Sequence, residues 1–474
     1  MKKFALISCL LITLANAGLA QIALNNSRTL FDAFENPSQK AFYTDSSKKF
    51  AFNFGFPTLS LSGSVAGSGL AAVKSMLIDQ VNNTTTLPLG ENKYTRLALN
   101  TNIYLLSFRV FKRVRYEQEF GFSWQLRNDI WLKVSNESLA IFDSFTRFAD
   151  GDYEDIFNNT ASEQSYHQFG FSYRENYNKR VGIGAKISFL SGIAYHSGKI
   201  SNTSLNINSL TNEFYASFTG RFKSTTDGDS DAKILQPNLK NPGFALTASA
   251  NFKFRKGWFI LANVKDLGFI RWHKQSQVYN FQQSVYVDQA NLGNAGTRLQ
   301  DQLTAPFEGV SSTEDPNYKR KAFISPINTK IDFLVNKDYG AYQPNLMLSK
   351  NVWNAAGNIT LVNNVIIKNH ILSISPTYNF LNYADLGVQY QYKTPNCEFY
   401  IGSDQLFKTT QLINSSIKSD AELMKGAIGA GIYIGFSTKF GRYMEHPMNT
   451  TQIPGLEPPK TEKAGFFRRV TGKK

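Results

Sequence analysis

Apolar residues fall on every second position through most of this chain, in one run after another. Phe50, Phe52, Phe54 and Phe56 share a phase in FAFNFGF, Leu97, Leu99, Thr101, Ile103 and Leu105 in LALNTNIYL, and Val181, Ile183, Ala185, Ile187 and Phe189 in VGIGAKISF. The alternation returns at Phe120, Phe122 and Trp124, at Leu246, Ala248, Ala250 and Phe252, and finally at Ile428, Ala430, Ile432, Ile434 and Phe436. A period of two puts such residues on one face of a strand, so the pattern predicts an all-β protein.

The intervening positions are polar or small: Gly182, Gly184, Lys186 and Ser188 beside one run, Thr247, Ser249, Asn251, Lys253 and Arg255 beside another. That face suits bulk water or a wet lumen. Length separates the two, because many runs reach about ten residues, the span of a tilted membrane strand, whereas globular strands average ~5 to 6. A sheet in hydrocarbon has to close, since an open edge leaves peptide groups unpaired at a cost of several kcal/mol each. The prediction is therefore a transmembrane antiparallel β-barrel of about 14 strands, with 12 or 16 also compatible, apolar residues facing lipid and polar ones the lumen.

The connections alternate in length. Arg174 to Arg180 and Lys253 to Phe259 read as short turns, while Ser68 to Lys93, Ser135 to Gln164, Lys223 to Asn241, Gln282 to Pro326 and Asp404 to Gly426 are long. Two long segments carry helical spacing: Leu70, Val73, Met76, Leu77 and Val81, and Leu139, Ile141, Phe142, Phe145 and Phe148. A helix there plugs or caps the lumen, or lies solvated in a loop.

One stretch, WFILANVKDLGFIRWH, interrupts the alternation. Trp258, Ile260, Ala262 and Val264 share a phase that then meets Asp266 and Gly268 before Ile270 and Trp272. A carboxylate on the lipid face costs free energy that grows toward the midplane. The expected solution is a bulge at Asp266 to Gly268, with Gly268 easing the backbone and Asp266 turned to the lumen or rim, and with Trp272 in an interfacial girdle.

Composition agrees with this class. Of 474 residues 14% are aromatic, with 38 Phe and 22 Tyr, and no stretch after the N-terminus reaches the ~18 consecutive apolar residues of a helical span. Lys2 and Lys3, then the apolar Phe4 to Ala15, then Ala17, Gly18 and Ala20 read as a signal peptide over residues 1–20, cleaved after Ala20 or after Ala17. Removing it takes Cys9 and leaves Cys397 alone, which excludes an intramolecular disulfide and a multi-cysteine metal site. The formal charge of +15 would suit nucleic acid, but export excludes that partner and points to acidic lipid or polymer. From Gly441 to Lys474 there are seven Lys or Arg against three Glu, so residues 442–474 read as a basic periplasmic tail.

Catalytic or metal chemistry finds little support. His167, His196, His273, His370 and His446 stand singly, without HxH or HExxH spacing, and there is no GxSxG elbow. The glycines of GIGAGIYIG precede a strand and serve a bend or a close approach rather than a nucleotide. No catalytic set, cofactor or metal is expected, and an enzyme is not. On the inward phase Lys186, Lys253 and Arg255, with Lys330, Lys393 and Lys439, would favour anionic solutes if they line one lumen; at strand ends they would meet lipid head groups.

FENPSQKAF (Phe34 to Phe42), FGFPTLSLSGS (Phe54 to Ser64), FGFSYRENYNKRVGIGAKISFLSGIA (Phe169 to Ala194), VKDLGFIRW, AFISPINTKIDF (Ala322 to Phe333) and the final GFSTKFGR span nearly the whole mature chain. Together they resemble a Bacteroidetes-type outer-membrane barrel family of unknown function, itself similar to the long-chain fatty-acid transporter (FadL/PorV-like) superfamily. Asn36-Pro37-Ser38 resembles the Asn-Pro-Ala of such transporters, with Ser38 in place of alanine, and implies that residues 21–47 form a hatch inside a barrel of residues 48–441. The plainer reading is an Asn-Pro turn before the first strand. The resemblance implies a channel for small hydrophobic or amphipathic solutes, with an apolar pocket in a plugged lumen. Two alternatives stand beside it: a scaffold barrel of a secretion, adhesion or gliding apparatus, similar to the barrel subunits of type IX secretion, partnered through the basic tail; and an outer-membrane lipid enzyme, which first requires a Ser–His pair within hydrogen-bond reach.

Overall fold

The computed structural model describes residues 27–41, 48–53, 55–81, 84–89, 93–113, 118–141, 147–208, 210–211, 213–225, 236–287 and 318–441. The expected signal peptide, the tail and parts of the long loops lie outside them. All described strands join one sheet, which closes as a 14-strand antiparallel barrel.

Several staves consist of more than one segment. They are β1 (Phe50–Phe52 and Thr58–Gly67), β2 (Tyr94–Arg113), β3 (Gln118–Ser135), β4 (Gly151–Glu154 and Thr160–Asn176), β5 (Val181–Asn208), β6 (Glu213–Ser224 and Pro242–Lys253) and β7 (Trp258–Trp272 and Gln277–Val287). There follow β8 (Tyr318–Arg320, Phe323–Pro326 and Lys330–Lys337), β9 (Tyr342–Asn351), β10 (Gly357–Ile367), β11 (His370–Asn379), β12 (Tyr383–Lys393), β13 (Cys397–Ser403) and β14 (Ile428–Phe440). Closure is made by β14 against both pieces of β1, with Phe50 opposite Phe440 and Leu59 opposite Ile434.

The alternation sets the two faces. Phe171, Ile187, Phe252, Ile331, Leu346, Ile359 and Ile374 are exposed on the outside, as a lipid-facing wall requires. Their neighbours Lys186, Ser188, Thr247, Ser249 and Asn251 are buried toward the lumen. Two segments depart from the sequence reading. FAFNFGF is not one strand: β1 breaks after Phe52, where the Asn53 side chain bonds the Ser107 amide (3.1 Å) and Gly55 takes φ 71°. The segment Lys223 to Asn241 does not separate two staves, because both pieces of β6 run antiparallel to β5 in succession.

Midway along the first piece of β7 the register against β6 shifts between Val264 and Leu267. The left-handed residue is Asp266 itself, at φ 54°, a conformation that aspartate tolerates better than most residues. Gly268 serves a different need, since a Cβ there would stand 2.2 Å from the Phe244 carbonyl oxygen. The shift exchanges the faces beyond it: Leu267 and Phe269 now point outward, and Ile270 and Trp272 inward. Trp272 is therefore not a girdle residue. It is 0% exposed, donates to Ser325 Oγ at 2.8 Å and packs with Tyr195 and Phe323 inside the barrel. A one-residue slip in a two-residue period has this consequence for every later side chain. In single-tryptophan variants, brominated lipid is expected to quench Trp258, which is 47% exposed, and to spare Trp272; equal quenching would contradict the inward placement.

The first helical segment packs on the wall, and Phe142 and Phe145 of the second lie outside the described residues. α2 (Leu70–Lys74), continued by a π turn to Asp79, lays Leu70, Val73 and Leu77 on Val65, Leu97, Leu99 and Ile428 of the wall. α3 (Asn136–Ile141) is a short helix after β3, and Phe148 beyond it joins Phe157, Phe214 and Phe218 in the largest apolar cluster. A further helix, α4 (Leu406–Lys418), leaves Phe407, Ile413 and Ile417 exposed. Its mixed Ser and Thr content hides the helical period in the sequence.

Candidate functional site

The lumen contains the N-terminal segment. Its helix α1 (Leu30–Glu35) is only six residues long, and a reciprocal cap stabilises it: the Asp32 amide donates to Thr29 Oγ1 (2.9 Å) and the Thr29 amide to Asp32 Oδ2 (3.1 Å). That is a capping box with aspartate in the third position. All six helix residues are buried. Phe31 and Phe34 pack on Tyr104 with ring centroids 5.0 and 6.0 Å apart, and the Arg109 guanidinium lies 4.9 Å from the Phe34 ring centre.

Three polar anchors hold this plug. The first is Glu35, which accepts from Asn102 Nδ2 (3.1 Å), Arg127 Nη2 (3.0 Å) and the Tyr104 hydroxyl, and pairs with Lys265. Arg127 reaches on to Asp266 (2.7 Å), whose other oxygen takes Gln168 (2.8 Å), Thr247 (3.2 Å) and Lys186 (3.4 Å). The second anchor consists of Arg109 and Arg174, paired with Glu119 at 2.7 and 3.2 Å, which donate to the Ala33 and Ser38 carbonyls at 2.8 Å each. In the third, Glu398 accepts the Leu30 amide (2.7 Å) and Lys393 donates to the carbonyls of Ser27 (2.8 Å) and Arg28 (2.6 Å). Burial pushes the Asp32 carboxyl up to about 6, against its bond to the Thr29 backbone and the nearby Lys393.

Asn36, Pro37 and Ser38 form the turn after α1 within the lumen. Asn36 Oδ1 accepts from Asn263 Nδ2 (2.7 Å), the Ser38 amide donates to Ser249 Oγ (2.6 Å), and the Ser38 carbonyl accepts from Asn251 Nδ2 (2.6 Å). Pro37 passes so close to β5 that a Cβ on Gly184 would lie 2.2 Å from its carbonyl carbon. Gly184→Val is therefore expected to weaken docking of the plug by about 1 to 3 kcal/mol, the usual cost of overpacking. Faster labelling of a cysteine placed at Ser38, with the barrel still folded, is the measurement; unchanged labelling would contradict the contact.

The basic residues divide. Lys186 is lumenal and paired, as above, whereas Lys253 and Arg255 are exposed around the short turn between β6 and β7. No single lumen gathers all three. The charges that hold the plug, Glu35, Arg109, Glu119, Arg127 and Arg174, went unmarked in the sequence. Their one signal was a charge on the inward phase of a strand, and the partner across the barrel cannot be read from one chain.

On the long-loop side of the plug lies a cavity of about 220 Å³. Most residues around it are polar, among them Asn100, Gln164, Asn328, Asn351, Asn358 and Gln405, with Trp131, Tyr195, Trp353 and Tyr383 between them. A smaller apolar pocket of about 50 Å³ lies among Val65, Val73, Leu77, Leu97, Leu99 and Leu412. The lumenal cavity, where an apolar pocket was expected, thus mixes amides and carboxylates with aromatic and aliphatic residues.

Two Ser–His pairs come within reach: Ser224 Oγ to His196 Nδ1 at 3.1 Å and Ser276 Oγ to His273 Nδ1 at 3.3 Å. The second belongs to a local turn, where the Gln275 amide also donates to the same nitrogen (3.2 Å). In the first, Ser224 is 2% exposed, and Glu163, opposite His196 on β4, makes no hydrogen bond to the imidazole among the described residues. Among the described residues no three His, Cys, Asp or Glu side chains converge as metal ligands.

A closed β-barrel of outer-membrane type, with an apolar outer wall and a lumen filled by its own N-terminal segment, is the class that fold and site define. The chain belongs to a family of unknown function, DUF5723, whose model matches residues 41–404. No curated protein matches it. Among solved structures it is similar to a Pseudomonas aeruginosa FadL homologue (10% identity, TM-score 0.43, 90% of this chain and 100% of that one). It is also similar to the P. putida toluene transporter TodX (7%, 0.39, 87% and 95%) and to a deltaS2S3 mutant of the TodX monoaromatic hydrocarbon channel (8%, 0.42, 86% and 94%).

Proposed function

We propose that the protein is an outer-membrane passage for a small amphipathic solute, closed by its N-terminal segment. The observation that carries this reading is the way the plug is held. Hydrogen bonds and ion pairs join it to the wall at Glu35, Arg109, Arg174 and Glu398, and such contacts can be exchanged for water when the segment moves, at a net cost of about 1.5 to 3 kcal/mol for each hydrogen bond to a charged group. A structural barrel with no traffic would be closed more simply by apolar side chains. The cavity beyond the plug gives a solute a place to wait.

A cysteine pair tests this. Ser38 and Ser249 are within hydrogen-bond distance, so Ser38→Cys with Ser249→Cys, in a Cys397→Ser background, is expected to fix the plug on oxidation. Proteoliposomes are expected to take up sodium octanoate or a hexose only after reduction. Uptake no faster than in protein-free liposomes, in either state and for either solute, would sink the passage reading; equal uptake in both states would show that the plug is not the closure.

A further inference from the structure

We infer that the lumenal cavity is a binding site for a neutral polyhydroxylated ring, a sugar of about one residue. This rests on the passage reading for its purpose but not for its chemistry. At about 220 Å³ the cavity is below the ~300 to 1,000 Å³ of sites for drug-sized ligands, so the occupant is small.

Its lining says what kind. Asn100 of β2, Gln164 of β4, Asn351 of β9, Asn358 of β10 and Asn379 of β11 place amides around much of the circumference. An amide both donates and accepts, as a hydroxyl does, so a ring carrying several hydroxyls can satisfy many of them at once. Several are partly engaged in the wall, with Asn100 Oδ1 accepting from Asn328 (3.0 Å), Gln164 Nε2 donating to Ser325 Oγ (2.9 Å) and Asn379 Nδ2 to the Tyr383 hydroxyl (3.0 Å), and it is the remaining donors and acceptors that a hydroxylated ring can use and an alkyl chain cannot. Flat faces for the C–H side of such a ring come from Trp131, Tyr195, Trp353 and Tyr383.

Charge and ligand geometry speak against an anion or a metal ion. Asp129, Asp385 and Asp404 outnumber the one lysine of the lining, Lys330, and this excess of carboxylates repels an anion. Asp129 is already engaged by Asn328 at 2.7 Å, and no cluster of metal ligands exists among the described residues.

Two acceptors wait for donors. Gln405 is 8% exposed and its Oε1 has no hydrogen-bond partner among the described residues; nor has Asp385 Oδ2, although Asp385 Oδ1 accepts the Leu386 amide at 2.8 Å. Room for the Gln405 side chain exists because residue 429 is glycine: a Cβ there would stand 1.9 Å from Gln405 Oε1. Both oxygens are sealed off as the wall stands, so a hydroxyl ligand completes them by drawing the Gln405 and Asp385 side chains toward the cavity that they line.

The test is equilibrium binding to the full chain in a detergent without a sugar head group, followed by tryptophan fluorescence and by saturation-transfer NMR. The probes are D-glucose, D-galactose and D-mannose, with sodium octanoate and inorganic phosphate as controls. The expected result is saturable binding of at least one hexose, weakened tenfold or more by Gln405→Leu and by Trp353→Leu, with both controls silent. Should either variant fail to fold, Asp385→Asn, which keeps the shape and changes an acceptor into a donor, is expected to shift hexose affinity at least threefold. No saturable hexose binding by the unmodified protein, stronger binding of octanoate or phosphate, or hexose affinity indifferent to the folded variants would overturn the assignment. Hexose binding without uptake would keep the site and remove the passage; uptake of octanoate without hexose binding would do the reverse.

Discussion

Asp266→Ala is expected to be the most destabilising single substitution in the barrel wall. The carboxylate is 0% exposed and accepts from Arg127, Gln168 and Thr247 while also facing Lys186. Removing it leaves a guanidinium and an ammonium buried with one partner fewer, and breaking a buried pair on one side costs about 3 to 5 kcal/mol. A second loss comes from the backbone, since the Asp266 amide donates to Thr247 Oγ1 (2.9 Å) and its carbonyl accepts from Thr329 Oγ1 (3.0 Å), which fixes the bulge at a positive φ that alanine adopts less readily. The urea midpoint of the folded, heat-modifiable form is the measurement. Asp266→Asn, which keeps the side chain's shape and lets it tolerate the same φ, should lose less. A midpoint unchanged in Asp266→Ala would mean that water replaces the carboxylate at no cost and that the network does not hold the wall.

This residue also shows how far the sequence could be read. The phase slip at KDLG was visible because a strand that faces lipid cannot carry a carboxylate outward, and the same logic of alternation made the class of fold and the approximate number of staves legible. What alternation cannot supply is which inward residues meet. Arg127 and Asp266 lie on β3 and β7, and Glu35 on neither, so the triad exists only because the barrel closes around a segment that precedes it. Trp272 was misplaced for a related reason. A bulge reverses the two faces after it, and the sequence marks where the pattern fails without saying how many residues the failure consumes. The cavity was invisible as well, because its amides are spread over five staves and the segments between others, and each looks locally like an ordinary lumenal polar residue.

Deleting residues 27–41 is expected to turn a closed barrel into a conducting one. The argument depends on what the wall keeps. Arg127 retains Asp266, Arg109 and Arg174 retain Glu119, and Lys393 stays 3.7 Å from Glu398, so the paired charges of the staves survive without the plug. Two acids leave with the plug, Glu35 and Asp32; Lys265 then faces the water that enters, and Lys393 keeps Glu398. Phe31 and Phe34 withdraw from Tyr104, an apolar loss of a few kcal/mol at ~1.5 to 3 per buried side chain, which a 14-strand closed sheet can bear. In planar bilayers the intact protein should show brief openings or none, and the deletion variant steady ohmic steps. Mild cation selectivity is expected if Asp129, Asp385 and Asp404 dominate the wider end of the lumen, as their lining of the cavity implies. A folded deletion variant that conducts no better than the intact chain would place the barrier elsewhere, in the loops above the cavity rather than in the segment that Glu35 anchors.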